Sequence, residues 1–171
     1  MSRTHVRAAT LTHGARSGTV GPSMLSDVLS ETLVRCDLDA SDGGEVIDAL
    51  VDLICTTGEV HDREVARADV LANERRSSTG MQYGVAIPHA KTTAVDHLLA
   101  AVAVTRNPIA FDSLDGKPCD IFVMTLSPID QVGPHMRFLA EIGRLLKSRR
   151  TRKALRQARS NADLLAAFIG R

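Results

Sequence analysis

The stretch "LLAAVAVT" (98–105) runs through seven consecutive apolar residues with no charge among them. A strand with one face in water alternates apolar and polar residues, whereas an unbroken run of this length suits a strand covered on both faces. "CDIFVMTL" (119–126) has the same character. Between the two, "RNPIAFDSLDGKP" is a turn-rich connection punctuated by Pro108, Gly116 and Pro118. Two such strands belong in the middle of a sheet, and they need helices on either side.

The flanking sequence supplies those helices. A short helical turn is expected at "MLSDVL", near Ser23, and "TLVRCDL" (32–38) reads as a strand at a sheet edge. In "SDGGEVIDALVDLICTTG", residues Val46, Ile47, Leu50, Val51 and Ile54 share one face at helical spacing, with Ser41 or Asp42 as cap and Gly58 as stop. "HDREVARADVLANERR" continues as a second helix capped by Asp62, with Val65, Ala68, Leu71 and Ala72 expected inward. Tyr83–Ile87 is a third strand. In the last third, His135, Phe138, Leu139, Ile142 and Leu146 form one helical stripe, and "TRKALRQA" and "NADLLAAFI" form two short helices. The order predicts an α/β fold: a single domain with a mixed β-sheet of about five strands and helices packed on both faces. The domain is expected over 23–171, after a flexible tail at 1–22.

Composition narrows the function. Apolar residues make up 44% and charged residues 24% of 171, which is ordinary for a globular chain with its own core. A net charge of +1 gives no global attraction to nucleic acid or to an anionic membrane. With one Tyr and no Trp, an aromatic platform for stacking bases is excluded. The basic run Lys147–Arg159, placed on helices, reads as a solvated face. Cys36, Cys55 and Cys119 are odd in number, widely spaced and in apolar surroundings, which points to buried free thiols in a reducing cytoplasm. No apolar run approaches the length that crosses a bilayer.

Chemistry gathers around "GVAIPHAK" (84–91), where an apolar strand runs into Pro88-His89. Proline halts the ladder and fixes the backbone direction, so the next side chain is held in place. His89 is therefore either a packed structural residue or a reactive imidazole. His135 follows Gly133-Pro134 at the start of a helix, where the terminus disfavours a protonated ring and favours anions. A neutral imidazole there donates one N–H, while a neutral His89 is a competent nucleophile. The "SSTG" turn (77–80), with Ser78 and Thr79, adds hydroxyls and backbone N–H groups of the kind that cradle phosphate oxygens. His5, His13, His61 and His97 have no companions and read as surface residues. No CxxC, HExxH, G-x-S-x-G or GxxxxGK[ST] motif occurs, so neither metal, serine hydrolysis nor nucleotide binding is supported.

Taken together, "SSTGMQYGVAIPHAK", "NPIAFDSLDGKPCDIFVMTLSP" and "PHMRFLAEIGRLL" resemble the fructose/mannitol-class enzyme IIA domain of the bacterial sugar phosphotransferase system. That class includes the nitrogen-regulatory enzyme IIA proteins, and the resemblance runs from about residue 24 to 169. It implies that His89 accepts a phosphoryl group from the histidine-containing phosphocarrier protein. It further implies that His135 contacts that group without carrying it, and that no cofactor or metal takes part. The recipient is an enzyme IIB in sugar uptake or, alternatively, a partner regulated by the phosphorylation state; neither reading involves nucleic acid or membrane insertion. Where the family has an arginine contributing to the phosphoryl site, this chain has Asn73, followed by Glu74, Arg75 and Arg76. The expectation is that Arg75, or else Arg76, supplies the missing cation.

Overall fold

Both apolar runs lie side by side in the middle of an open sheet in the computed structural model, which describes residues 24–170. The expected tail at 1–22 lies outside the described residues. Five strands are present among them: β1 (Val34–Leu38), β2 (Val85–Ala86), β3 (His89–Thr92), β4 (Leu99–Ile109) and β5 (Cys119–Pro128). The path is β1-β4-β5-β2, with β3 also on β5; β4 and β5 are antiparallel and the other pairings parallel. The sheet is thus mixed, β1 is an edge, and the two apolar strands are central. Instead of stopping at Thr105, β4 passes through a register shift and runs on to Ile109, taking Arg106, Asn107, Pro108 and Ile109 out of the expected connection.

Helices cover both faces. α2 (Gly43–Cys55) and α3 (Arg63–Arg76) pack on one, where Val46, Ile47, Leu50, Val51 and Ile54 meet Ala101, Ala103, Phe122 and Met124. Against the other lie α1 (Met24–Val28), α4 (Val132–Lys147), α5 (Arg149–Gln157) and α6 (Asn161–Ile169), where Leu25, Phe138, Ile142, Leu155 and Phe168 meet Val102, Ile121 and Val123. Period-two alternation along the central strands sends neighbours to opposite cores, which is why residues 99–104 and 121–124 are apolar without a break. Asp42 and Asp62 cap α2 and α3 by accepting backbone N–H bonds.

Four local expectations need correction. Tyr83 is exposed and has left the strand: Tyr83 and Gly84 both take positive φ, so the chain turns there and β2 begins at Val85. α3 buries Ala66 and Val70, with Val65, Ala68 and Ala72 facing out; the inward face continues one turn on to the polar Asn73. Of the residues expected inward only Leu71 packs against the core, half-buried, because apolar positions alone do not fix the phase of a helix with a polar residue on its inner face. α4 begins at Val132, so Pro134 sits inside the first turn, where its missing N–H has no intrahelical partner to lose. Among the cysteines only Cys119 is fully buried; Cys36 and Cys55 are half-buried, and burial raises all three thiols, Cys119 to about 11.

α5 also departs from a plain solvated face. Arg152 is buried, donating to the carbonyls of Leu146 and Lys147 at the end of α4 and lying 4.5 Å over the Tyr83 ring. Arg156 holds the Asp120 carboxylate and the Tyr83 carbonyl, which fixes the bend ahead of β2. Within the described residues no helix is long and apolar enough to cross a membrane.

Candidate functional site

Pro88 interrupts the edge track without ending it. β2 and β3 keep one register along β5, Val85 opposite Ile121 and His89 opposite Thr125, and the Pro88 carbonyl still accepts the Thr125 N–H at 3.1 Å. The missing N–H of proline lets the chain kink on the outer side while its carbonyl stays in the ladder. His89 is therefore the first residue of a resumed strand. It lies just beyond the carboxyl end of β2 and toward that of β5, where open α/β sheets place their ligands.

That kink also orients the ring. The His89 Nδ1 lies 2.8 Å from the Ile87 carbonyl oxygen. A carbonyl only accepts, so Nδ1 carries the proton and the neutral ring keeps its lone pair on Nε2. The backbone of His89 is held from the other side, its carbonyl accepting from the Asn73 amide at 2.9 Å. The His135 ring lies 5.5 Å from that of His89, centroid to centroid, tilted by 49°. Unlike the half-buried His89, His135 is buried. Its imidazole is driven below the ordinary histidine range, first by burial and then by His89 and Lys91. Neutrality was expected from the helix terminus; desolvation is the leading cause. His135 Nδ1 shares a 2.8 Å hydrogen bond with the buried Ser127 hydroxyl.

The two imidazoles open into a cleft of about 510 Å³ that is also lined by Asp69, Asn73, Arg76, Lys91 and Ile129. Arg76, one turn beyond Asn73, donates to the Asn73 amide oxygen at 2.6 Å. Arg75, the expected cation, lines a different hollow with Gly43, Glu74 and Phe111. Ser78 and Thr79 do not line the cleft either. Glu74 accepts from the Ser78 hydroxyl and from both the Thr79 N–H and hydroxyl, at 2.5–2.8 Å. The Thr79 carbonyl in turn accepts from the Ile87 N–H, and Gly80 bridges Ala86. The turn thus clamps β2 and, through Ile87, the carbonyl that orients His89.

Of the sequence candidates, His89, His135 and Asn73 meet around one cleft, whereas Arg75, Ser78 and Thr79 stand behind it. His61 and His97 lie outside, yet neither is alone: His61 pairs with Asp96 at 2.8 Å and His97 with Glu59 at 3.5 Å. Sequence reasoning missed Ser127, Lys91 and the Ile87 carbonyl. The first was detectable as a polar residue closing an apolar run, but a carbonyl contact leaves no trace in residue type.

An arrangement of one unprotonated nitrogen, a neutral partner ring and nearby cations suits transfer of an anionic group to an imidazole. Comparison with known proteins agrees. Residues 27–170 match the family described as "Phosphoenolpyruvate-dependent sugar phosphotransferase system, EIIA 2". The chain is 35% identical over 126 residues to the PTS system fructose-specific EIIA component of Haloferax volcanii, covering 72% of this chain and 82% of that one. It is 30% identical over 143 residues to a nitrogen regulatory protein of Klebsiella oxytoca, covering 82% and 86%. A PTS system fructose-specific EIIABC component of Bacillus subtilis is 29% identical over 82% of this chain, which spans only 22% of that longer protein. Among solved structures, the nitrogen regulatory protein IIA-Ntr of Neisseria meningitidis superposes with a TM-score of 0.74 at 26% identity, covering 85% of this chain and 99% of that one. The family match over residues 27–170 and the 35% identity with the Haloferax volcanii protein show that the chain belongs to the EIIA 2 family of phosphoryl carriers of the phosphoenolpyruvate-dependent sugar phosphotransferase system.

Proposed function

We propose that this protein is a cytoplasmic phosphohistidine carrier that is phosphorylated on Nε2 of His89. The observation that carries the reading is the 2.8 Å bond from His89 Nδ1–H to the Ile87 carbonyl, which leaves Nε2 as the free nucleophile beside the cleft. The donor is the phosphohistidine of the histidine-containing phosphocarrier protein. The Nε2 lone pair forms the new N–P bond as the donor's N–P bond breaks, and that electron pair returns to the donor imidazole. Nδ1 keeps its proton throughout, and the Ile87 carbonyl stabilises the positive character the ring gains. Such transfer is mainly positioning and charge stabilisation. Arg76 and Lys91, which flank the cleft, supply the cations, with Asn73 holding Arg76 in place.

An enzyme IIB is the proposed acceptor, in line with the fructose-specific EIIA relative. A second reading, a regulatory enzyme IIA whose phosphorylation state controls a partner protein, is favoured by the nitrogen regulatory relatives. Incubation with phosphoenolpyruvate, enzyme I and the phosphocarrier is expected to place acid-labile phosphate on the unaltered protein and none on His89→Ala. Discharge of that phosphate by an added fructose-type enzyme IIB supports transport, and its persistence supports regulation. Acid-labile phosphate on His89→Ala would sink the proposal.

A further inference from the structure

We infer that Ser127 is a positioning residue for the transfer step: its hydroxyl donates to Nδ1 of His135 and holds that ring as the Nε2–H tautomer, a neutral donor to the moving phosphoryl group. The inference rests on the carrier reading above. Ser127 stands near the end of β5, fully buried, in a strand whose other side chains are mostly apolar. Strand register pairs His89 with Thr125 and Lys91 with Ser127, so alternation sends both β5 hydroxyls to the face that bears the two imidazoles. α4 lays His135 over this spot, with Nδ1 2.8 Å from the Ser127 Oγ.

Two proton arrangements fit that distance, and they differ in what they leave unpaired. Were Nδ1–H the donor, the Ser127 hydroxyl proton would be buried without an acceptor, because among the described residues its hydroxyl bonds only to His135. A buried donor left unmade is costly, whereas the reverse direction leaves none. The hydroxyl therefore donates, Nδ1 accepts, and the single proton of the neutral ring sits on Nε2. Burial and the neighbouring His89 and Lys91 all act to keep the ring uncharged. The two rings are thereby made complementary by different backbone and side-chain partners. Ile87 leaves a lone pair on His89 Nε2, and Ser127 leaves an N–H on His135 Nε2. The opposite tautomer of His135 would turn a lone pair toward phosphoryl oxygens and repel them. No proton leaves His135 during transfer; the donated bond shortens as charge shifts on the equatorial oxygens.

The test uses 15N NMR of the histidine side chains together with rapid-quench phosphorylation of the full chain by the phosphocarrier. In the unaltered protein, His135 Nδ1 is expected at a pyridine-like shift and Nε2 at a pyrrole-like shift. Ser127→Ala is expected to let the Nδ1–H tautomer appear and to slow transfer to His89 about tenfold at saturating phosphocarrier, the effect of misplacing one donor. Ser127→Thr, which keeps a hydroxyl and suits a strand, restores both readouts, and backbone amide spectra confirm that each variant is folded. A protonated Nδ1 in the unaltered protein, or unaltered transfer by Ser127→Ala, overturns the assignment while His89 phosphorylation stands. Absence of acid-labile phosphate on the unaltered protein overturns the carrier reading, and this proposal with it.

Discussion

Arg75 and Arg76 are neighbours in sequence but point about 100° apart on α3, and only Arg76 reaches the cleft. Arg76→Ala is expected to slow phosphorylation of His89 by about 10- to 100-fold, the range for losing one group that stabilises transition-state charge. Arg75→Ala is expected to leave the rate within about twofold, as single-turnover kinetics will check. His135 makes a second prediction at this scale. Its folded pKa is lowered, so below the ordinary imidazole value of about 6.5 the unfolded chain binds the proton and the folded one resists it. Its contribution to stability is present above that value and is lost as pH falls through the folded pKa. Urea unfolding from pH 7.5 to 5.5 should therefore show a decline that is shallower in His135→Gln; identical slopes would refute it. Both imidazoles were legible in the sequence because strand-Pro-His and Gly-Pro-His constrain where a side chain points. Their partners were not, since the Ile87 carbonyl belongs to the backbone and Ser127 becomes a partner only once α4 crosses β5.

At the scale of elements, β2 shows how a two-residue strand comes to hold a functional side chain steady. Its inner edge is bonded to β5, and its outer edge to residues 79–81, with Ile87 N–H on the Thr79 carbonyl and Met81 N–H on the Val85 carbonyl. Glu74, near the end of α3, ties that outer layer down with three hydrogen bonds. The sequence suggested a phosphate cradle in "SSTG" because hydroxyls on a turn have that chemistry. The carboxylate that consumes those donors comes from α3, and no local rule reveals it. Glu74→Ala is expected to cost about 2 kcal/mol in urea unfolding, less than the sum of three charge-assisted bonds because the site is half-exposed and water replaces part of them. A loss under about 0.5 kcal/mol would show that β2 is secured by β5 alone. Four of the five strands and most helix bounds were readable from periodicity; β3 was not, because Pro88 reads as the end of the ladder that resumes at His89. The phase of α3 was not, because a helix that presents Asn73 to a site has a polar residue on its inner face.

Across the whole molecule, two cores on opposite faces of one sheet hold α3 and α4 on either side of β3, and the cleft is the gap between them. This division leaves an apolar rim. Ile129 lines the cleft and is exposed, and Val132 and Met136 are exposed at successive turns of α4. Gly143 lies further along the same flank, beside a groove formed with Met81, Tyr83 and Leu114. Half-exposed apolar side chains next to a reactive nitrogen are poor choices for solubility and good ones for a transient contact. On the carrier reading, the rim receives the phosphocarrier while His89 supplies the chemistry, and the two roles are separable. Met136→Asp is expected to raise the KM for the phosphocarrier about tenfold or more, since a charge would be desolvated at the centre of the contact. The same change should leave phosphorylation of His89 by a small donor such as phosphoramidate nearly unaltered, because Met136 points away from the buried ring of His135. Equal losses with both donors would mean that Met136 shapes the cleft itself. An unchanged KM would move the contact to another face. The ratio of the two rates therefore reads docking apart from transfer, a distinction that neither the residues of the site nor the order of the strands can make by itself.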